Sequence, residues 1–233
     1  MQRKDFQALG ACLAVIAFFA FVPGALDAFK AATSRFPYIM SFIKFAILAT
    51  FGECIGLRIT AGVYNRAGFG LLPRALVWGI LGVGIKMAFT IFSIGAPAFL
   101  AELGLPVDLT TIKTGSFGLR LLCAFSISIT LNFIFAPIFM TLHKVTDAHI
   151  MATGGSVGGF LKNRIPFVQI LTNLNWDVQC NFVFKKTLPL FWVPMHTITF
   201  LLPAQFQVLF AALLGVALGT ILALAAAKSL KKA

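Results

Sequence analysis

The chain has 233 residues, 59% of them hydrophobic and only 11% charged, with a mean hydropathy of +0.94. Soluble domains carry about 25% charged residues, so this composition excludes an ordinary soluble protein and predicts an all-α, polytopic transmembrane helical bundle. The formal charge is +12, but the basic residues sit mostly between apolar runs, where they favour anionic lipid headgroups rather than nucleic acid.

Arg3 and Lys4 precede an apolar run that ends near Val22. A signal peptide shares that pattern, but Pro23 to Ala28 lacks a clean small-x-small cleavage pattern. A short, retained extra helix over 6–24 is therefore expected. Helices need about 20 apolar residues to cross a bilayer, and four more runs satisfy this: 36–61, 74–100, 116–142 and 204–227. Between the fourth and the last lies a long connection, with a Gly154–Gly159 patch and an amphipathic segment over 160–186 expected to lie on the membrane surface. Pro189, Pro194 and Pro203 break the apolar block after Leu188 into a bent lead-in and a final span. The reading is one integral membrane domain over 1–233, multi-pass, with an inner or cytoplasmic-type membrane favoured. The N-terminus, the Arg66–Arg74 loop and the Lys144–Lys186 connection are expected to share the positive face, with Lys228, Lys231 and Lys232 opposite.

Glu53 lies well inside the second run, where a carboxylate needs a partner, a proton or water. Lys86 lies inside the third. Measured from the intervening loop, both sit at a similar depth on antiparallel neighbours, so they are expected to meet. Such a pair either fixes helix register or gates a solute path. Thr50 and Thr60 share a stripe with Glu53, and Thr90 shares one with Lys86. In the fourth run Ser126, Ser128, Thr130 and Asn132 alternate; they either bond back to their own helix or line a pore, with Asn132 the strongest candidate for the second role. Pro137 is expected to kink that helix.

Gly52-x-x-x-Gly56 and Gly215-x-x-x-Gly219 permit close helix contact and leave a homo-oligomer open. His196 reads as an interfacial histidine, with His143 at a helix end and His149 in a loop. Cys12, Cys54, Cys123 and Cys180 lack metal or disulfide spacing. No nucleophile elbow, phosphate loop or zinc motif occurs. Neither an enzyme, a cofactor nor a metal is expected.

Phe29, Pro37 and Gly52-Glu53, then Arg74 with Gly82 and Gly84, then Asn132 with Phe135-Ala136-Pro137, and finally Pro203, Phe206 and Gln207 follow a familiar spacing. In these positions the chain resembles the twenty-two-kilodalton peroxisomal membrane protein family, whose other branch is a mitochondrial inner-membrane channel protein. Glu53 stands where that family has Asp, and Gln207 where it has Arg. The resemblance implies a four-helix core and a weakly selective pore for small solutes. Together with the charge depths, it leads to the expectation of a channel or channel-like transporter for small hydrophilic solutes or metabolites. Glu53 and Lys86 would form its constriction, with Thr50, Thr90, Thr130 and Asn132 lining the path. The alternative is a non-conducting membrane scaffold whose polar contacts only lock the bundle.

Overall fold

The structure is a computed structural model that describes residues 2–230, with side chains through 227. Every regular element among the described residues is helical. Five helices are long and apolar enough to cross a membrane: α1 (Arg3–Phe21), α3 (Pro37–Ala61), α4 (Leu71–Glu102), the continuous rod Phe117–Ala152, and α11 (Ala204–Leu230), whose qualifying part ends at Ala227. The short helix α2 (Ala25–Arg35) joins α1 to α3.

Helix α3 starts on Pro37, at a position whose N–H has no intrahelical partner. It stops at Gly62, whose φ of 76° suits a residue without a side chain. Helices α3 and α4 pack nearly backbone to backbone. A Cβ on Gly82 would lie 2.6 Å from the Phe45 Cβ and 2.8 Å from the Ser41 carbonyl oxygen. A Cβ on Gly79 would lie 2.5 Å from the Phe42 ring. Gly84 meets nothing within 4 Å, so of the two motif glycines only Gly82 is needed for contact.

The Phe117–Ala152 rod comprises α6 (Phe117–Thr130), a π-helical turn (Leu131–Phe135) and α7 (Ala136–Ala152). Pro137 has no N–H to offer the carbonyl four residues back. The chain absorbs this by widening the turn just before it, which keeps the rod continuous. The widened turn carries Asn132.

The chain then returns through α8 (Val157–Lys162) and α9 (Phe167–Thr172). Gly155, with φ of 70°, sits so close to Gly68 and Gly70 that any Cβ would strike their backbone. The 62–70 loop and this turn thus share one face of the bundle. The amphipathic segment expected over 160–186 is only partly peripheral. Neither α8 nor α9 buries a residue, but from Val178 the chain enters the bundle as a π-helical segment (Val178–Trp192) continued by α10 (Val193–Leu201). There it buries Gln179, Thr187 and Leu188. By Val193 it lies beside Ser128, whose hydroxyl donates to the Val193 carbonyl at 2.7 Å.

This extra pass corrects the topology. Gly52 faces Val216 and Gly56 faces Ala223, so α3 and α11 run in parallel. Helix α11 therefore ends toward the same face as α3, not opposite it. The expectation for Lys228 fails on this account; Lys231 and Lys232 lie outside the described residues. Near that face Arg58 clasps Asp5 through Nε at 2.7 Å and Nη2 at 2.8 Å, and the Tyr64 hydroxyl adds a third bond at 3.1 Å. Those bonds fasten the start of α1, which buries no residue of its own. On the far side, outside the spans, Asp108 accepts from the hydroxyls and amides of Thr110 and Thr111 ahead of the short α5 (Thr111–Thr114). These bonds hold its carboxyl below the usual range.

The other motif residues sit as follows. Phe29 carries the Lys44 ammonium 4.5 Å from its ring centroid, while Lys44 donates to Thr33 at 3.0 Å. Pro203 makes the turn between α10 and α11. Phe206 lies in the first turn of α11, and Gln207 donates to the Leu202 carbonyl at 3.0 Å.

Candidate functional site

Glu53 lies eight residues before the end of α3, about 12 Å in from that end. Trp78 lies seven residues after the start of α4, at a matching depth. Its indole N–H donates to Glu53 Oε1 at 2.9 Å. Arg74, one turn nearer the face, reaches inward and donates from Nη1 to Glu53 Oε2 at 2.5 Å. The same Nη1 binds Asp147 of α7, Nε donates to the Phe69 carbonyl at 2.7 Å, and the guanidinium lies 4.6 Å from the Phe69 ring centroid. His143, one turn before Asp147 on α7, sits 3.1 Å from Glu53 Oε1 through Nε2. A carboxylate only accepts, so the proton on that ring lies on Nε2. The His143 ring also lies 4.3 Å from the Trp78 ring, tilted by 38°.

Four ionisable groups from three helices thus form one network, and Arg74 at its centre is 6% exposed. The carboxylates of Glu53 and Asp147 with the His143 imidazole lie within 4.8 Å of one another, a spacing that could hold a metal ion. Arg74 already holds both carboxylates, so a cation there would have to displace a guanidinium.

The expected partnership of Glu53 with Lys86 is not formed. Lys86 donates to Thr90 at 3.0 Å on its own helix. The physical reason lies in the helix ends. Equal depth holds only when it is counted from Tyr64 and Arg74; α3 ends at Ala61 and α4 starts at Leu71, three residues nearer Glu53 and three farther from Lys86. Lys86 is therefore eight residues, about 12 Å, deeper than Trp78. Arg74 was legible as a motif residue but not as a partner. His143 and Asp147 lie beyond Leu142, where the apolar run stops, on the part of α7 that continues to Ala152. Their spacing of four residues on one helix face is the signal that could have found them. His149, expected in a loop, is a buried residue of α7.

A cavity of about 700 Å³ runs inward from this network between α3, α4, the Phe117–Ala152 rod, the Val178–Leu201 pass and α11. Exposed Thr60, Arg66 and Lys144 stand at its mouth. Glu53, Arg74, His143 and Asp147 form a ring below. Phe45, Leu131, Phe135 and Phe139 make an apolar throat, and Asn132, Trp192 and His196 line the inner end. Buried Phe89 also borders it there. On the α11 wall, Gly215 and Gly219 leave open space where a side chain would be.

Of the six residues expected to line a path, Glu53 and Asn132 border this cavity. Thr50 is buried with its hydroxyl unpartnered and lies outside the lining. Thr130 bonds its own helix at Ser126, and Thr90 bonds Lys86; both are also outside it. His196, expected at the interface, is inside the bundle, 3.1 Å from the Asn132 amide.

No family model, curated protein or solved structure matches the chain.

Proposed function

We propose that the protein is a channel-like transporter for small hydrophilic solutes, represented here in a form open toward the face that carries the 62–70 loop. One observation carries the reading: a cavity of about 700 Å³ opens past exposed Thr60, Arg66 and Lys144, is bordered by Glu53, Arg74, His143 and Asp147, and runs on into the middle of the bundle. The cavity volume falls in the range of small-molecule sites, roughly 300–1,000 Å³. The ring of Glu53, Arg74, His143 and Asp147 stands between mouth and throat, where a filter or gate would act. The family resemblance of the motif spacings points the same way.

The test is a plug. Gly215→Phe adds a ring to the cavity from a position where a Cβ meets nothing within 4 Å. Proteoliposomes with the wild-type chain are expected to pass a small polar solute such as glycerol faster than bare liposomes. Folded Gly215→Phe is expected to fall to the bare-liposome rate. Equal flux through the plugged variant would overturn the pathway. No flux through the wild type would favour a non-conducting scaffold, which Arg74 also suits because Nη1 and Nε find partners inside the protein.

A further inference from the structure

The cavity has two unlike sides. On one, Glu53, Arg74, His143 and Asp147 turn their polar atoms toward one another. On the other, α11 presents Gly215, Leu218, Gly219 and Leu222. Gly52 of α3 faces Val216 and Gly56 faces Ala223, so Gly219 stands at the level of Glu53. At the depth of the charged ring the α11 wall is therefore glycine and leucine. Helix α11 packs on α3, whereas α7 packs on α4, α8 and α9, and the cavity lies between α7 and α11. Deeper in, Phe135, Phe139 and Met140 continue the apolar lining. These three, with Leu218 and Leu222, keep accessible surface. Apolar walls give water few partners, and such spaces take up apolar guests.

Every Asp, Glu, Lys and Arg that borders the cavity lies at its mouth end: Glu53, Arg66, Arg74, Lys144 and Asp147. Lys86 is outside the lining. Three cations against two anions leave the mouth positive. Arg74 is held by both carboxylates. Arg66 and Lys144 are exposed, and among the described residues their side chains form no ion pair or hydrogen bond. Two free cations thus stand over an apolar throat. From Thr60 to Phe45, α3 borders the cavity over about 22 Å. A volume of about 700 Å³ spread over that depth has a mean cross-section of about 30 Å². Carbons in contact lie about 3.5–4.0 Å apart, so the space admits one hydrocarbon chain and is tight for two.

We infer that the cavity is a binding site for a single-chain anionic amphiphile of the long-chain fatty-acid class. Its carboxylate pairs with Arg66 and Lys144, the guanidinium offering the geometry for a two-pronged contact. Its chain lies along the α11 wall and ends among Phe135 and Phe139. The site depends on the cavity and not on flux through it, and a bound chain would occupy the path proposed above.

The probe is palmitate carrying a diazirine on its chain, photolysed with the full-length protein in phosphatidylcholine nanodiscs and mapped by mass spectrometry. Label on Phe135, Phe139, Leu218 and Leu222 is expected to saturate and to be displaced by excess palmitate. Label on Ile39 and Ile47, exposed on α3 and outside the lining, should rise linearly and resist displacement. Combining Arg66→Gln with Lys144→Gln should raise the half-saturating concentration about fivefold, the strength of two exposed ion pairs. Hexadecanol should compete more weakly than palmitate by a similar factor. Folded Gly215→Phe should lose the displaceable label. Label that palmitate does not displace from the four cavity residues would overturn the site. Equal competition by hexadecanol, with no shift in the double variant, would overturn the assignment of the head group. Displaceable label without glycerol flux would leave this site standing and remove the transport reading; flux without displaceable label would do the reverse.

Discussion

The two polar regions of the cavity are built on opposite plans. In the outer ring, Glu53, Arg74, Trp78, His143 and Asp147 all point at one another. At the inner end, Asn132 and Trp192 each keep one polar atom in reserve. A fully paired buried ion cluster fixes geometry and adds little net stability, because desolvation offsets attraction. An unpaired buried dipole costs about 1–3 kcal/mol. The outer ring therefore reads as a fastener that sets the position of three helices, and the inner end as a place where polar groups are buried at a cost.

The largest expected effect breaks the outer ring at its centre. Arg74→Met leaves Glu53 and Asp147, both half-buried, facing each other without their shared and buried cation. Removing one partner of a buried pair costs about 3–5 kcal/mol. Thermal unfolding in nanodiscs should show the largest loss of any substitution described here. A loss under about 1 kcal/mol would mean that water, not Arg74, satisfies the carboxylates, and the contrast between the regions would collapse.

A smaller loss is expected from Gly82→Ala. The added methyl meets Phe45 Cβ at 2.6 Å and the Ser41 carbonyl at 2.8 Å. Overpacking of this kind costs about 1–3 kcal/mol. It loosens the α3–α4 contact without removing a charge, so it separates general loosening from loss of the ring. Gly84→Ala meets nothing within 4 Å and should be neutral or raise stability by about 0.5–1 kcal/mol through helix propensity. If the two alanine variants behave alike, the contact is not as close as described.

Ser128→Ala probes the support of the inner end. Its hydroxyl is 0% exposed, donates to the Val193 carbonyl and lies 3.3 Å from Asn132 Nδ2. Val193 also accepts from Thr197 at 2.8 Å, so one lost hydrogen bond at about 1 kcal/mol is expected. Thermal unfolding in nanodiscs reads it; a loss above about 2 kcal/mol would mean that the hydroxyl also holds Asn132 in place.

The bundle was legible from the sequence because apolar length is a local signal. The Val178–Leu201 pass was not, since Gln179, Lys185, Lys186 and Pro189 interrupt it, and its burial depends on neighbours far away in the chain. The charge at Glu53 was legible for the same local reason as the spans. Its partners were not, because partnership depends on where α3 and α4 end to within one turn. Asn132 stands out in the sequence by the cost of an unpaired amide, and it is buried beside the cavity. Trp192 and His196 join it only through the unforeseen pass.

The smallest expected effect decides between the partner of Glu53 that the sequence suggested and the partners it has. Lys86 is half-buried, and its ammonium reaches Thr90 one turn along its own helix. Lys86→Met should therefore change stability by no more than about 0.5 kcal/mol. Combined with Glu53→Gln, it should be additive to within about 0.3–0.5 kcal/mol, as independent sites are. The parallel cycle of Glu53→Gln with Arg74→Met should show coupling of at least 1 kcal/mol, because those groups share a bond at 2.5 Å. The two cycles share one substitution, so differences in reference state largely cancel between them. Strong coupling to Lys86 and none to Arg74 would mean that α4 sits about two turns from the register described, and the outer ring would have to be rebuilt around Lys86.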